Sequence, residues 1–448
     1  MSALTFGVFV ALFALAHRRF GSVYTSPVQI VSGGLAALAV LGFVFYDSLT
    51  GLRGAAGIRI MMTPADKRSA FVLIMVTACA ILSGAIATSL LTRKKRAAVR
   101  ELAGIDVSDT ALNIALLLMP LPLILILVGS GAGTIWRRDE YIINHLGGSL
   151  LSAGAAAFGL GAVAGLGFLW GKHKARMLVL VYAVAYLAVF FGTGSRRLAL
   201  VPVLFGVGAF VANPTRLTRW ALVPLAASSV YLIGLPLAMR TGTEHGILPY
   251  WNRLPAVLGG ELPFAVTALN ILVGFAIINT TAYLAPAFPT SDIWASLNPL
   301  PSSLMGWADI APGHRLNYFT PYAGIGELGN AGWPYVLFVG AVLGVALCYL
   351  DLSVGHFIRI GQQAVALLLL CLTLVLLLFL TQYNLRAGFR MVYYGSAVAI
   401  FARWYFSALR PRHFPPRFGV RRPRTLRSRH SPPRSRGRRP PLRTGRRQ

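Results

Sequence analysis

Apolar runs of roughly 20 residues recur along almost the whole of this chain, and no other feature constrains its fold as tightly. A run of that length crosses the hydrocarbon core of a bilayer as one helix, because about 20 residues rising ~1.5 Å each cover ~30 Å. Lipid offers the backbone no hydrogen-bond partner, so such a run must satisfy its own amides and carbonyls by being helical. The runs are 2–16, 27–46, 70–91, 111–128, 149–170, 177–191, 198–211, 221–239, 333–350, 362–380 and 391–406. They describe an all-α polytopic integral membrane protein with about eleven transmembrane helices. Composition agrees: 56% of residues are apolar and 12% charged, against about 25% charged in a soluble domain. Cys79, Cys348 and Cys371 all lie inside apolar runs, which argues against a disulfide-stapled outer domain and against a zinc cluster.

Charge is as uneven as hydropathy. The net charge is +29, and residues 407–448 hold 15 arginines and no acid. Rich in Arg, Pro and Ser, this tail cannot bury a core and is expected to be disordered. Beside a membrane, such a segment is drawn to anionic lipid headgroups by about 1 kcal/mol per arginine. No aromatic platform accompanies the arginines, so nucleic acid is not expected as a partner.

Basic residues favour cytoplasmic loops. With the tail inside, strict alternation also places inside Arg93, Lys94, Lys95, Arg96 and Arg100, and Lys172, Lys174 and Arg176. The N-terminus is then outside, because no basic residue precedes 2–16 while His17, Arg18 and Arg19 follow it, the reverse of a cleavable signal. Residues 240–332 become one long extracytoplasmic loop. Its 263–283 stretch is apolar enough to cross, but a crossing there would carry a basic cluster outward, so a re-entrant or interfacial helix is expected. The chain thus divides into a bundle of about eight spans at 1–239, the loop 240–332, three spans at 333–406 and the tail 407–448.

Ionisable groups at the outer ends of spans are where chemistry could sit. Gly192, Thr193, Gly194, Ser195, Arg196 and Arg197 make a glycine-rich turn whose amides and forked guanidiniums suit phosphate oxygens. Arg386 and Arg390 occupy the outer turn before the last span. Each of these arginines could equally be an interfacial anchor. On the same face the long loop carries Glu244, His245, Arg253, Glu261, Asp292, Asp309, His314, Arg315 and Glu327, with several Trp and Tyr. Carboxylates, histidines, arginines and rings together suit a polar, ring-bearing substrate attached to an anion, such as a sugar on a lipid pyrophosphate.

Two stretches of this loop, Asn317-Tyr318-Phe319-Thr320-Pro321-Tyr322 and Gly326-Glu327-Leu328-Gly329-Asn330-Ala331-Gly332, resemble a pattern of oligosaccharide repeat-unit polymerases. These are the Wzy-type O-antigen, capsule and exopolysaccharide polymerases. The Gly-Ser-Arg turn ending at Arg196 and the 385–388 turn are similar to Arg-Gly elements of the same proteins. Glu327 stands where many relatives carry Asp, and Ala387 separates an Arg-Gly pair that is usually contiguous. The related O-antigen ligases use a His shortly before the same glycines, and His314 lies about three residues upstream of that place.

The resemblance implies a glycosyltransferase-type polymerase in the bacterial cytoplasmic membrane. It would transfer a growing glycan from polyprenyl pyrophosphate onto the terminal hydroxyl of a new lipid-linked repeat, at the outer surface. The step needs an acceptor for the hydroxyl proton and cations for the leaving pyrophosphate; fixed guanidiniums suffice, so no metal or other cofactor is expected. Glu327 or His314 is then the base. Arg196, Arg197 and Arg386, with Arg240 as a fourth, hold the pyrophosphate. Expected partners are the polyprenyl-pyrophosphate-linked oligosaccharide, anionic lipids at the tail and a chain-length regulator. Two alternatives stay open. One is a multi-span glycosyltransferase that uses a polyprenyl-phosphate sugar, with Asp139 and Glu140 as its acids. The other is a lipid-linked-sugar flippase, against which stand the lack of an internal repeat and the scarcity of charges deep in the spans.

Overall fold

The computed structural model describes residues 2–21, 23–44, 46, 62–92, 109–140, 149–212, 216–239, 242–261, 264–300, 305–317 and 320–408. The cluster at 93–100, Arg240 and the tail beyond Ala408 lie outside the described residues. Met1–Arg403 forms one compact unit and Trp404–Gln448 a second. Of the second unit, the described residues include only the end of the last helix, at 404–408.

In chain order the helices are α1 (Ser2–Phe20), α2 (Pro27–Ala39, continued by a π-helical turn at Val40–Val44), α3 (Pro64–Leu91), α4 (Asp109–Leu118), α5 (Leu121–Ser130), α6 (Ala132–Trp136), α7 (Ser149–Leu169), α8 (Arg176–Gly192) and α9 (Leu200–Ala212). They continue as α10 (Arg216–Met239), α11 (Ile247–Ala256), α12 (Phe264–Leu284), α13 (Thr290–Leu297), α14 (Trp307–Ile310), α15 (Gly324–Asn330), α16 (Trp333–Arg359), α17 (Gln363–Gln382) and α18 (Leu385–Ala408). Among the described residues, six stretches are long and apolar enough to cross a membrane: Ala3–Phe20, Pro27–Val44, Pro64–Leu91, Leu112–Ser130, Trp333–Arg359 and Gln363–Gln382. Shorter apolar helices accompany them at Phe158–Leu169, Arg176–Gly192, Arg197–Phe210 and Ala227–Pro236. The chain is a helical, multi-pass membrane protein. A two-stranded antiparallel pair, β1 (Arg315–Asn317) and β2 (Thr320–Pro321), interrupts the helical pattern within the long connecting segment.

Where helix limits differ from the apolar runs, local chemistry explains the difference. Helix α3 starts six residues before its run because Thr63 and Asp66 form a capping box, each side chain accepting the other's backbone N–H, with Pro64 in the first turn. The run 111–128 is two helices, α4 and α5, broken at Met119 and Pro120; Pro120 and Pro122 have no amide to donate to the preceding turn. Helix α16 continues nine residues beyond Leu350. Asp351, the acid at which the apolar run stops, is buried and accepts a hydrogen bond from Ser26 Oγ of the α1–α2 turn.

Glycines set how closely the spans pack. A Cβ on Gly344 would lie 2.1 Å from the Ile81 carbonyl oxygen, and one on Gly84 would lie 2.2 Å from that of Ala341. Helices α3 and α16 therefore touch backbone to backbone. Helices α7 and α9 cross in the same way, with Gly167 against the Phe205 carbonyl and Gly208 against that of Ala164. In lipid, where apolar faces gain nothing from leaving the solvent, such close approach is a main source of helix association. Gly344→Val is therefore expected to cost at least about 1–3 kcal/mol, read as a lowered melting temperature in detergent with membrane insertion unchanged.

The connections sort into two ends. At one end, Arg19 donates to the Ser89 side chain and carbonyl at 2.8 and 2.7 Å, beside the Ser26–Asp351 contact. At the other, the backbones of Arg138 and His245 exchange two hydrogen bonds of 2.8 Å. There the Arg138 guanidinium also reaches the Gly192 and Thr193 carbonyls at 2.9 and 3.3 Å. The Arg197 guanidinium lies in electrostatic range of Tyr383. Tyr383 in turn accepts the Gly324 N–H at 2.8 Å through its carbonyl. The segments around 138, 193, 245, 324 and 383 thus gather at one end of the bundle. Helix α12, the stretch read as re-entrant or interfacial, is one continuous 21-residue helix. Phe275–Thr280 and Ala282, in its C-terminal half, are buried.

Candidate active site

Helix α15 is wedged among three neighbours, and its glycines make the fit. Added Cβ atoms would lie 2.8 Å from Leu385 Cα at Gly324, 2.5 Å from the Asn279 carbonyl at Gly326, and 2.4 Å from the Leu73 side chain at Gly329. The turn from α15 into α16 passes through Gly332, whose φ of +108° favours glycine. Asn330 fixes the preceding loop, accepting the Phe288 N–H at 2.9 Å and donating to the Ala285 carbonyl at 2.7 Å. The spacing that marked this stretch in the sequence is, physically, a set of backbone approaches that carry Glu327 into the interior.

Glu327 is 0% exposed and both its oxygens are used. Oε2 accepts the Leu385 N–H at 2.7 Å, one of the orphan amides at the start of α18, where the helix dipole also favours an anion. Oε1 faces His314 Nδ1 at 2.9 Å. Since a carboxylate only accepts, Nδ1 carries the proton, and in the neutral ring the lone pair is on Nε2. The two residues between which the sequence left the base undecided are therefore one unit, with Glu327 orienting the ring.

His314 is 1% exposed. Its ring stacks on Phe288 with centroids 4.6 Å apart and packs against Trp307 at 5.6 Å. Nε2 has no hydrogen-bond partner among the described residues and lies 3.6 Å from Asp292 Oδ2, in the first turn of α13. Burial alone would pull the His314 pKa down, but the hydrogen bond and charge of Glu327, together with Asp292, outweigh it and raise the value above the ordinary one.

Arg386 closes the far side. It is 2% exposed, and its guanidinium lies 5.0 Å from the centroid of Trp307, the ring that also packs against His314. Its two Nη atoms donate to the carbonyls of Ala295, Asn298 and Leu300, while Nε has no partner among the described residues. Tyr393 adds a hydrogen bond to the Leu297 carbonyl. Helix α18 thereby holds the C-terminal end of α13, the helix that presents Asp292.

The other sequence candidates fall as follows. Arg197 is partly buried near Tyr383, and its amide is held by Ser195 Oγ at 3.2 Å. Arg196 begins the same 3₁₀ turn, Arg196–Ala199; its side chain and all of Arg240 lie outside the described residues. Asp139 and Glu140 are exposed and come directly after the Arg138 anchor. Phe288, Trp307 and the Leu385 amide complete the His314–Glu327 site, and no spacing in the sequence signals them. Asp292 was one acid among several in the loop.

Comparison with known proteins gives no match to any family model, curated protein or solved structure.

Proposed function

We propose that this protein joins oligosaccharide repeat units carried on polyprenyl pyrophosphate, at the outer face of a bacterial cytoplasmic membrane. The observation that carries the reading is the buried His314–Glu327 pair beside Arg386 and at the same bundle end as Arg197. It pairs an oriented proton acceptor with cations, the two things that glycan transfer from a diphosphate requires. In this reading the chain crosses eleven times, with its N-terminus outside and its tail in the cytoplasm. The gathering of the segments at 138, 193, 245, 324 and 383 supports that count, because each is an outer connection under it.

The terminal hydroxyl of the incoming repeat reaches His314 Nε2 from the side of the partly exposed Asp292, whose side chain swings aside to admit it. Nε2 takes its proton as the oxygen attacks the anomeric carbon of the growing chain. The bond from that carbon to the phosphate oxygen breaks, and the diphosphate leaves with the electron pair. Arg197 is the partly exposed cation for it, and Arg196 and Arg240 are further candidates by sequence. Arg386 contributes its charge and Nε–H, its Nη donors being engaged on α13.

Base catalysis needs neutral His314, so the rate should rise with pH through a midpoint above the ordinary histidine value of ~6.5. The stability from charged His314 has the opposite sense. It is complete below ~6.5 and is lost as pH rises through the folded-state value. Asp292→Asn should move the midpoint of the pH–rate profile down, and an unmoved midpoint would count against the assignment of Nε2.

The cellular test is the fate of single lipid-linked repeats when the protein is absent. Accumulation on the outer leaflet, read with a membrane-impermeant sugar label, is the expected result. Inner-leaflet accumulation would indicate a flippase. Failure to complete the repeat would indicate a transferase using Asp139 and Glu140.

A further inference from the structure

An open cavity of about 300 Å³ lies beside this site, lined by Met62, Asp66, Thr281, Leu284, Pro286 and Tyr322 among others. Its size is at the small end for ligand sites, roughly 300–1,000 Å³. We propose that this cavity is the seat of a sugar ring of the lipid-linked repeat, separate from the place where the diphosphate is held. The inference rests on the polymerase reading above and adds to it a substrate subsite.

The lining chemistry supports a neutral, hydroxylated ligand. No Lys or Arg is among the described residues that line the cavity, and a diphosphate would need such cations. The cavity offers instead one carboxylate, hydroxyl groups and apolar edges. Asp66 uses Oδ2 for the Thr63 amide and hydroxyl, at 3.0 and 2.7 Å, and no partner among the described residues takes Oδ1, which is left for a ligand hydroxyl. The Thr281 hydroxyl donates to the Ile277 carbonyl at 2.5 Å and keeps its lone pairs for another donor. Met62, Leu284 and Pro286 supply the surface against which the C–H face of a sugar packs.

Position supports the same role. The Tyr322 ring, in the cavity wall, packs on Phe288 at 5.8 Å, and Phe288 stacks on His314 at 4.6 Å. The Tyr322 amide also donates to the His314 carbonyl at 3.1 Å. A sugar packed on Tyr322 is thus linked to His314 through two successive ring contacts.

The test uses the full chain in detergent. The probe is the repeat-unit oligosaccharide cut from the producing cell's own polysaccharide, observed by saturation-transfer NMR. Asp66→Asn keeps an acceptor for the Thr63 amide, and Leu284→Trp fills the cavity from a position that is 53% exposed. Each is expected to weaken oligosaccharide binding about tenfold. Asp66→Asn should also raise KM for the lipid-linked repeat with kcat retained, and inorganic diphosphate should not displace the oligosaccharide. Unchanged binding in both variants overturns the subsite, as does displacement by diphosphate, and the polymerase reading stands if the wild type still extends chains. A wild type that extends no chains sinks the polymerase reading, and the binding data then judge the sugar site alone.

Discussion

His314→Gln is expected to lower the rate of chain extension by roughly 10²–10⁴-fold, the usual contribution of a positioned general base. Glutamine is the informative replacement because its amide N–H can still donate to Glu327 Oε1, so the buried carboxylate keeps a partner. Single-turnover transfer from a lipid-linked donor, measured beside a melting curve, separates loss of chemistry from loss of fold. Retention of the wild-type rate would show that His314 is a structural bridge between α15 and its loop. Glu327→Gln should have a smaller effect on fold than Glu327→Ala, since only the latter leaves both the Leu385 amide and His314 Nδ1 without a partner.

Arg386→Ala should produce the largest structural effect. Its Nη donors satisfy three backbone carbonyls at the end of α13, and the side chain is 2% exposed. Removing a charged donor from buried acceptors costs about 1.5–3 kcal/mol per strong bond, so the two short ones, to Ala295 and Leu300, together imply roughly 3–6 kcal/mol. The loss should be local. Hydrogen exchange across 290–300 should quicken while α3 and α16 stay protected. Chain length should collapse to one repeat, because Asp292 and Trp307 are no longer fixed about His314. Arg386→Lys should restore little, as a single ammonium cannot span three carbonyls in a planar fork. Unchanged exchange at 290–300 in Arg386→Ala would mean that α13 is held by other contacts.

The helical, membrane-spanning character of the chain was legible because lipid imposes one rule on long apolar runs, and that rule needs no partner residues to be known. Limits were less legible where a polar group was satisfied across the bundle. Asp351 reads as the end of a span until Ser26 is seen to hold it, and Thr63 and Asp66 read as loop until they cap a helix. At the site, Glu327 and His314 were visible as residue types near a glycine pattern. Their hydrogen bond was not, since it depends on how closely Gly324, Gly326 and Gly329 let α15 approach its neighbours. The engagement of Arg386 with backbone carbonyls was also hidden. Sequence displays a guanidinium and a turn, and the carbonyls that claim it come from a segment far earlier in the chain, with separations of 86, 88 and 91 residues.

Reconstitution puts the central claim to its most direct trial. Purified protein in liposomes, supplied with polyprenyl-pyrophosphate-linked repeats and no other enzyme, should yield a ladder of glycans longer than one repeat and release one polyprenyl pyrophosphate per bond formed. The His314→Gln protein, equally folded, should give single repeats. A ladder of equal length and rate from both proteins, or none from the wild type, would contradict the account.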